Sequence, residues 1–171
     1  MSFKKITFVG GGSYQWVPVL FRDIAVNPFL RETTFVLHDL VPERNEELAE
    51  ACRAIARKAG SLIRVETEYD LVRALEGSAA VILCISTGGL DAMEIDLEIP
   101  KRYGIHQAVG DSTGPGGIFR TLRNIPVVVD LVRRMEAYCP GAWLLNLTNP
   151  MNQIVRAVQQ TILSRNSAAK R

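Results

Sequence analysis

Gly10, Gly11, Gly12 and Ser13 stand in a row directly after the apolar run "KKITFV" and directly before a segment with helical spacing. Residues of that kind in that place can bind an anion. Gly10 permits a tight turn, and Gly12 lets the main chain approach a pyrophosphate. N–H groups at the opening of the next helix then point at the phosphate oxygens, with the helix dipole behind them. The third glycine of the usual fingerprint is missing, since Gln15 stands there. That glycine serves helix–strand packing, so the phosphate-binding logic survives its loss. Asp39 belongs with the turn. It closes a second apolar run, "FVLHDL", and its carboxylate can accept from a ribose 2′-hydroxyl. The gap from Gly12 is 39 − 12 = 27 residues, longer than the usual ~20, and "NPFLRE" in the first crossover accounts for the excess. An acid there favours NAD over NADP, because a 2′-phosphate would meet a negative charge. A flavin or a mononucleotide in a glycine-rich corner is the alternative.

These residues need a scaffold that brings strand ends to one edge. "ITFV" (6–9) reads as a strand, and residues 14–26 as a helix with Val17, Leu20, Phe21 and Ile24 on one face. Pro18 lies early enough for a first turn. "TTFVLHDL" (33–40) is a second strand. "PERNEELAEACRAIARKAG" (42–60) predicts a long helix: Pro42 suits its first turn, acids crowd its start, Arg and Lys its end, and Gly60 stops it. "LIRVETE" is a third strand and "DLVRALEG" a short helix ended by Gly77. "AAVILCIS" (79–86) is apolar throughout, as a parallel strand buried on both faces should be. An irregular helix is expected between Gly88 and Gly104, and a long one over 116–141 with a kink at Pro126. A fifth strand covers 142–148, and a last helix starts at Met151. Strands alternating with helices predict an α/β fold, a doubly wound parallel sheet with the first strand near the middle. Residues 1–163 then form one dinucleotide-binding domain, and 164–171 a polar, fraying tail.

Composition narrows the classes. A chain of 171 residues that is 47% hydrophobic can hold one domain with a core. Twenty basic against eighteen acidic residues leave a net charge of +2, too balanced for a nucleic-acid or membrane-surface binder. The longest apolar runs are far too short to span a bilayer. The opening "MSFKK" leads straight into a strand-like run, so no signal peptide is expected. Cys52, Cys84 and Cys139 lack any CxxC spacing, which points to buried thiols in a reducing, cytoplasmic setting. His38 and His106 are the only histidines, and no self-contained metal site can be read from the chain.

Two later stretches are more specific: "EIPKRYGIHQAVGDSTGPGGIFRTLRNIPVVVD" (98–130) and "CPGAWLLNLTNPMN" (139–152). Together with "FVGGGS" and "GGLDAMEID" they resemble glycoside hydrolase family 4, in the branch of α-galactosidases, α-glucosidases and α-galacturonidases. The resemblance runs from about residue 5 to about residue 160. It implies a Rossmann-like cofactor domain, NAD and a divalent metal (usually manganese) as cofactors, and a sugar as substrate. It also implies redox chemistry in place of the two-carboxylate scheme. NAD takes a hydride from sugar C3, a base removes the C2 proton, and the glycosidic oxygen leaves. Water then adds, and the hydride returns. The metal sits on O2 and O3 as a Lewis acid. By the same resemblance Gly10, Gly12 and Ser13 hold the pyrophosphate and Asp39 the adenosine ribose. Ser86, Thr87 and Gly88 line the nicotinamide side, Asp111 lies near the leaving group, and Asn149 contacts the sugar. Read as residues alone, Asp111 could as well cap a loop or helix. Asn149 could make an Asx-turn before Pro150, and residues 86–88 a plain strand-ending turn.

Two departures from the family pattern matter. Members acting on 6-phosphosugars tend to carry arginines around the glycines after the fourth strand. Ser86 and Met93 stand there, so a non-phosphorylated sugar is expected. In the family the metal is held by a cysteine and a histidine further along, and no Cys or His follows Arg156. The base and the helical domain through which members dimerise also come later. The expectation is a cofactor domain without its substrate and metal domain. It would bind NAD, would not hydrolyse glycosides alone, and would tend to self-associate through an uncovered apolar face. Two other readings stand beside it. One is a lactate- or malate-type dehydrogenase, although "STGGLDAM" lacks the substrate-clamping arginine. The other is a truncated, non-catalytic NAD-binding paralogue.

Overall fold

A computed structural model of the chain describes residues 4–168, with side-chain surroundings for 4–162. Five strands form one sheet: β1 (Lys5–Val9), β2 (Thr34–His38), β3 (Arg64–Thr67), β4 (Ala80–Leu83) and β5 (Trp143–Asn146). Their order is β3-β2-β1-β4-β5, and every neighbouring pair is parallel. The first strand is central, as the alternation predicts. Six helices lie between and after the strands: α1 (Val17–Val26), α2 (Pro42–Ala59), α3 (Leu71–Leu75), α4 (Gly89–Lys101), α5 (Gly114–Tyr138) and α6 (Met151–Ala168). Every residue of β2 and β4, and all of β1 but Lys5, is buried. Strands buried at successive positions have both faces covered, which is the doubly wound, Rossmann-like arrangement.

The chain divides into two compact units. The first runs through Ile85 and resumes over Arg134–Asn146, so it holds the whole sheet with α1, α2, α3 and the end of α5. The second takes Ser86–Arg133 and the chain from Leu147, hence α4, most of α5, and α6.

In the first unit the core centres on Phe8, Phe21 and Phe35, all fully buried. Phe35 meets Phe21 at 5.0 Å between centroids and Phe8 at 6.2 Å, both tilted, as ring quadrupoles prefer. α2 buries Asn45, Leu48, Ala49, Cys52 and Ala56, a single stripe at helical spacing. It closes at Gly60 in the left-handed region, φ 62°. α3 is only five residues long and leans on its ends. Asp70 accepts from the Arg73 N–H at 2.9 Å, and Lys5 Nζ donates to the Arg73 and Glu76 carbonyls at 3.0 and 2.8 Å. Burial holds the Lys5 ammonium below its usual pKa, against the pull of Glu66 and Glu76. At the sheet edge Trp143 and Leu145 remain 64% and 49% exposed, so the outer strand is poorly covered.

In the second unit α5 buries Asn124, Val128, Leu131 and Val132, all on one helical face, and α6 buries Ile154. Element ends differ from expectation in several places, among them three helices, and β4 and β5 are shorter than the apolar runs that contain them. α1 opens at Val17, because residues 10–16 are taken up by the turn after β1. α5 already begins at Gly114. α6 continues to Ala168, well into the segment expected as a tail, and residues 169–171 lie outside the described residues. Among the described residues no helix is long and apolar enough to cross a membrane.

Candidate functional site

β1 ends at Val9 and the chain turns at once. Gly10 lies at φ +99°, and a β-carbon there would overlap the Cys84 carbonyl oxygen just after β4. Gly10 and Gly11 both donate their N–H groups to the His38 carbonyl, at 2.9 and 2.8 Å, and Cys84 N–H donates to the Val9 carbonyl at 2.9 Å. The turn is therefore pinned to both neighbours of β1. Connections leave β1 in opposite directions between β2 and β4, and open α/β sheets bind their ligands at such a switch point.

Asp39 is part of the same turn. Its Oδ2 accepts from the Gly12 N–H at 2.8 Å and its Oδ1 from the Val41 N–H at 3.0 Å. A carboxylate has about four lone-pair positions, so capacity for a hydroxyl donor remains. Ser13 donates its N–H to the Gly10 carbonyl at 3.1 Å, and its Oγ accepts from the Trp16 N–H at 3.4 Å. The Cys84 thiol lies 3.8 Å from that same Oγ. Tyr14 and Gln15 leave their N–H groups without a partner among the described residues. The Val17 N–H is already used by the Ser13 carbonyl at 3.0 Å, and Pro18 has none. Val19, in the first turn of α1, likewise has no partner for its N–H among the described residues, so the donors open to an anion run from the turn into the start of α1.

The other expected residues lie in the second unit. Ser86 accepts from the Gly89 N–H at 2.9 Å, and Gly88, at φ 87°, introduces α4. Thr87 is held at both backbone groups by consecutive residues of α5. Its N–H donates to Asn124 Oδ1 and its carbonyl accepts from Arg123 Nε, each at 3.3 Å. The Arg123 guanidinium also forks onto Asp96, with Nη1 to Oδ1 at 2.9 Å and Nη2 to Oδ2. That carboxylate raises the Arg123 pKa further, so the side chain is a permanent cation. Asn124 is fully buried, and its Nδ2 donates to the Asn149 carbonyl at 2.8 Å, ahead of the cis Asn149–Pro150 peptide. Asn149 Nδ2 in turn donates to Asp111 Oδ2 at 2.7 Å. Asp111 Oδ1 accepts from Ser112 Oγ at 3.1 Å. A continuous polar relay therefore joins Thr87, Asn124, Asn149 and Asp111.

Arg123, Asn124 and Asp96 are not singled out by the sequence reading. A signal for one of them exists. Asn124 falls on the same α5 stripe as Val128, Leu131 and Val132, and a polar residue in a buried row is almost always partnered. Among the described residues no group of three or more His, Cys, Asp or Glu side chains could hold a metal ion. Burial pushes the Cys52 thiol up to about 12 and raises that of Cys139 as well.

A family model described as "Family 4 glycosyl hydrolase" matches residues 5–166. An α-galacturonidase of Thermoanaerobacter italicus is 37% identical over 157 residues, 92% of this chain and 34% of the relative. An α-galactosidase of Bacillus subtilis is 38% identical over 156 residues, 91% of this chain and 36% of the relative. A 6-phospho-β-glucosidase from Thermotoga maritima, solved with manganese, NAD+ and glucose-6-phosphate, matches with a TM-score of 0.73 at 25% identity. That match covers 85% of this chain and 34% of the other. The chain spans about a third of the length of the curated relatives it matches.

Proposed function

This chain belongs to the family 4 glycosyl hydrolases, and on that premise we propose that it is the NAD-binding portion of a glycosidase that breaks its bond by transient oxidation of the sugar. One observation carries the reading. The turn after the central strand is fixed by His38 and Asp39, while Tyr14 and Gln15 keep uncommitted N–H groups beside it. Those residues fit a dinucleotide. Glycines leave the turn bare, the free donors suit a pyrophosphate, and Asp39 suits the adenosine ribose and disfavours a 2′-phosphate. Bound there, NAD would supply the hydride acceptor for sugar C3.

The same reading sets Ser86, Thr87 and Gly88 on the nicotinamide side, Asn149 on the sugar and Asp111 near the leaving group. The 2.7 Å bond between Asn149 and Asp111 supports treating the last two as one unit. Residues 1–163 act in it as a single cofactor domain. Ser86 and Met93, where phosphosugar enzymes tend to carry arginine, favour a non-phosphorylated substrate. Manganese is different: none of the described residues form a group that could hold it. Taken alone, the chain binds NAD and leaves glycosides intact.

Calorimetric titration of the 171-residue chain with NAD and with NADP tests this directly. Saturable NAD binding, tighter than NADP binding, is expected. No NAD binding sinks the reading. A parallel assay offers 4-nitrophenyl α-galactoside and α-galacturonide with NAD and Mn2+. No nitrophenol release is expected, and release would overturn the inactivity of the chain on its own.

A further inference from the structure

Asn45 has a place in the fold that neither the sheet nor the helix requires. It lies in the first turn of α2, is completely buried, and shares the stripe of Leu48, Ala49, Cys52 and Ala56. Burying an amide costs free energy unless it is hydrogen-bonded, and Asn is a poor helix former. An aliphatic residue would suit that stripe better on local grounds.

Its two ends do different things. Nδ2 donates to the Leu37 carbonyl at 3.0 Å, and only the NH2 end can do so, which fixes the amide's orientation. Yet the Leu37 carbonyl already accepts from the Glu68 N–H at 3.0 Å, so β2 does not depend on Asn45 for satisfaction. Oδ1 is enclosed, has no hydrogen-bond partner among the described residues, and rests against Gly11: a β-carbon on Gly11 would overlap it. Leu37 Cβ and the His38 nitrogen would be next, at 3.0 and 3.1 Å. Gly11 is not among the glycines with positive φ. It is a glycine for want of space, not for want of backbone freedom, and Asn45 is the chief occupant of that space.

We propose that Asn45 is a positioning residue for the cofactor turn, bracing Gly11 from below so that Gly10, Gly11 and Gly12 keep their bonds to His38 and Asp39; this rests on the NAD-binding reading above. The brace ties the height of the turn to the end of β2, the same strand end that presents Asp39. With no hydrogen bond to the enclosed oxygen among the described residues, the brace acts by filling space.

A double-substitution cycle on the full 171-residue chain tests it, with NAD affinity by calorimetry and Tm as readouts. Gly11→Ala should lower NAD affinity by roughly tenfold or more. Adding Asn45→Ala should give part of that affinity back, because the new methyl can enter the vacated volume. A merely structural Asn45 predicts multiplied losses instead, and that result overturns the proposal. If Gly11→Ala does not fold, the double variant should recover folded protein, and its failure to do so counts equally against the brace. Asn45→Ser alone should weaken NAD binding several-fold with little change in Tm; a fall in Tm without a fall in affinity overturns the cofactor role. The parent titration separates the two failures. If the parent binds no NAD, the function reading and the cofactor role fall together; if it binds and the cycle is additive, only the brace falls.

Discussion

Asn149 and Asp111, 38 positions apart, are joined by a 2.7 Å bond from the asparagine amide to the carboxylate. Asn149 is itself held through its carbonyl by Asn124. The carboxylate of Asp111, proposed to lie near the leaving group, is therefore oriented by the amide of Asn149, proposed to contact the sugar. Asn149→Ala should cost about 1 kcal/mol in urea unfolding, typical of one such bond. Asp111→Ala should cost a similar amount, and the double variant less than the sum. Additive losses would mean that the two side chains do not interact in solution.

Gly10 and Gly60 should respond differently to the same substitution. Both have positive φ, but a β-carbon at Gly10 strikes the Cys84 carbonyl, whereas nothing lies within 4 Å of one at Gly60. Gly60→Ala should cost about 1 kcal/mol, the conformational price alone. Gly10→Ala should cost roughly 3 kcal/mol or more and abolish NAD binding. Equal effects in chemical denaturation would refute the close packing of the turn on β4.

Asp39→Asn keeps an acceptor for the Gly12 N–H but removes the negative charge. NAD affinity should fall about tenfold, and the preference over NADP should narrow by at least as much. An unchanged preference between the two nucleotides would detach Asp39 from the ribose.

The three cysteines should separate in a thiol-labelling experiment. Cys52 is buried with its thiol pushed up to about 12, and Cys139 is buried and raised too. Burial shields both and disfavours their thiolates. Cys84 is only part-buried and lies next to Ser13 in the turn. Mass spectrometry after brief exposure to a disulfide reagent should find Cys84 modified first, and saturating NAD should slow that reaction. Early modification of Cys52 would contradict the core described here.

Asp70 supplies a pH signature. The Arg73 N–H holds its carboxyl below the usual value, the largest of the causes acting on it. A depressed folded pKa gives stability that is complete above the unfolded titration and is lost as the pH falls through the folded one. Asp70→Ala should therefore lower Tm at pH 7, and the gap to the parent should close once acid has protonated the cap. A gap that persists undiminished in acid would assign the effect to something other than the charge.

The strands and the central place of the first were legible because composition and position agreed. The unbroken apolar run of β4 could only suit a strand covered on both sides, and all four of its residues are buried. The start of α1 was not legible, because Tyr14 to Trp16 continue a helical spacing while the bonds of Gly10 and Ser13 hold them in a turn. At the candidate site, residue types were readable and their partners were not. Asp111 and Asn149 could be singled out by resemblance, yet the amide that joins them depends on two loops meeting in space. Asn45 and Asn124 stayed hidden for the opposite reason. Each sits in a row of apolar residues, where helical periodicity draws attention to the row and away from the exception.

The central place of β1 has a consequence in time. Lys5 to Val9 are made before the other four strands, but Ile6 pairs with Ala80 on one side and Phe35 on the other. At ~5–20 residues per second, the β4 partner follows roughly 4–15 s after β1. Through that interval an apolar ribbon destined for the middle of the sheet has at most one neighbour. Although β1 is the earliest of the five strands, it is thus closed on both sides only after β2 has gained β3, and β4 waits longer still, until Trp143–Asn146 arrive beside it.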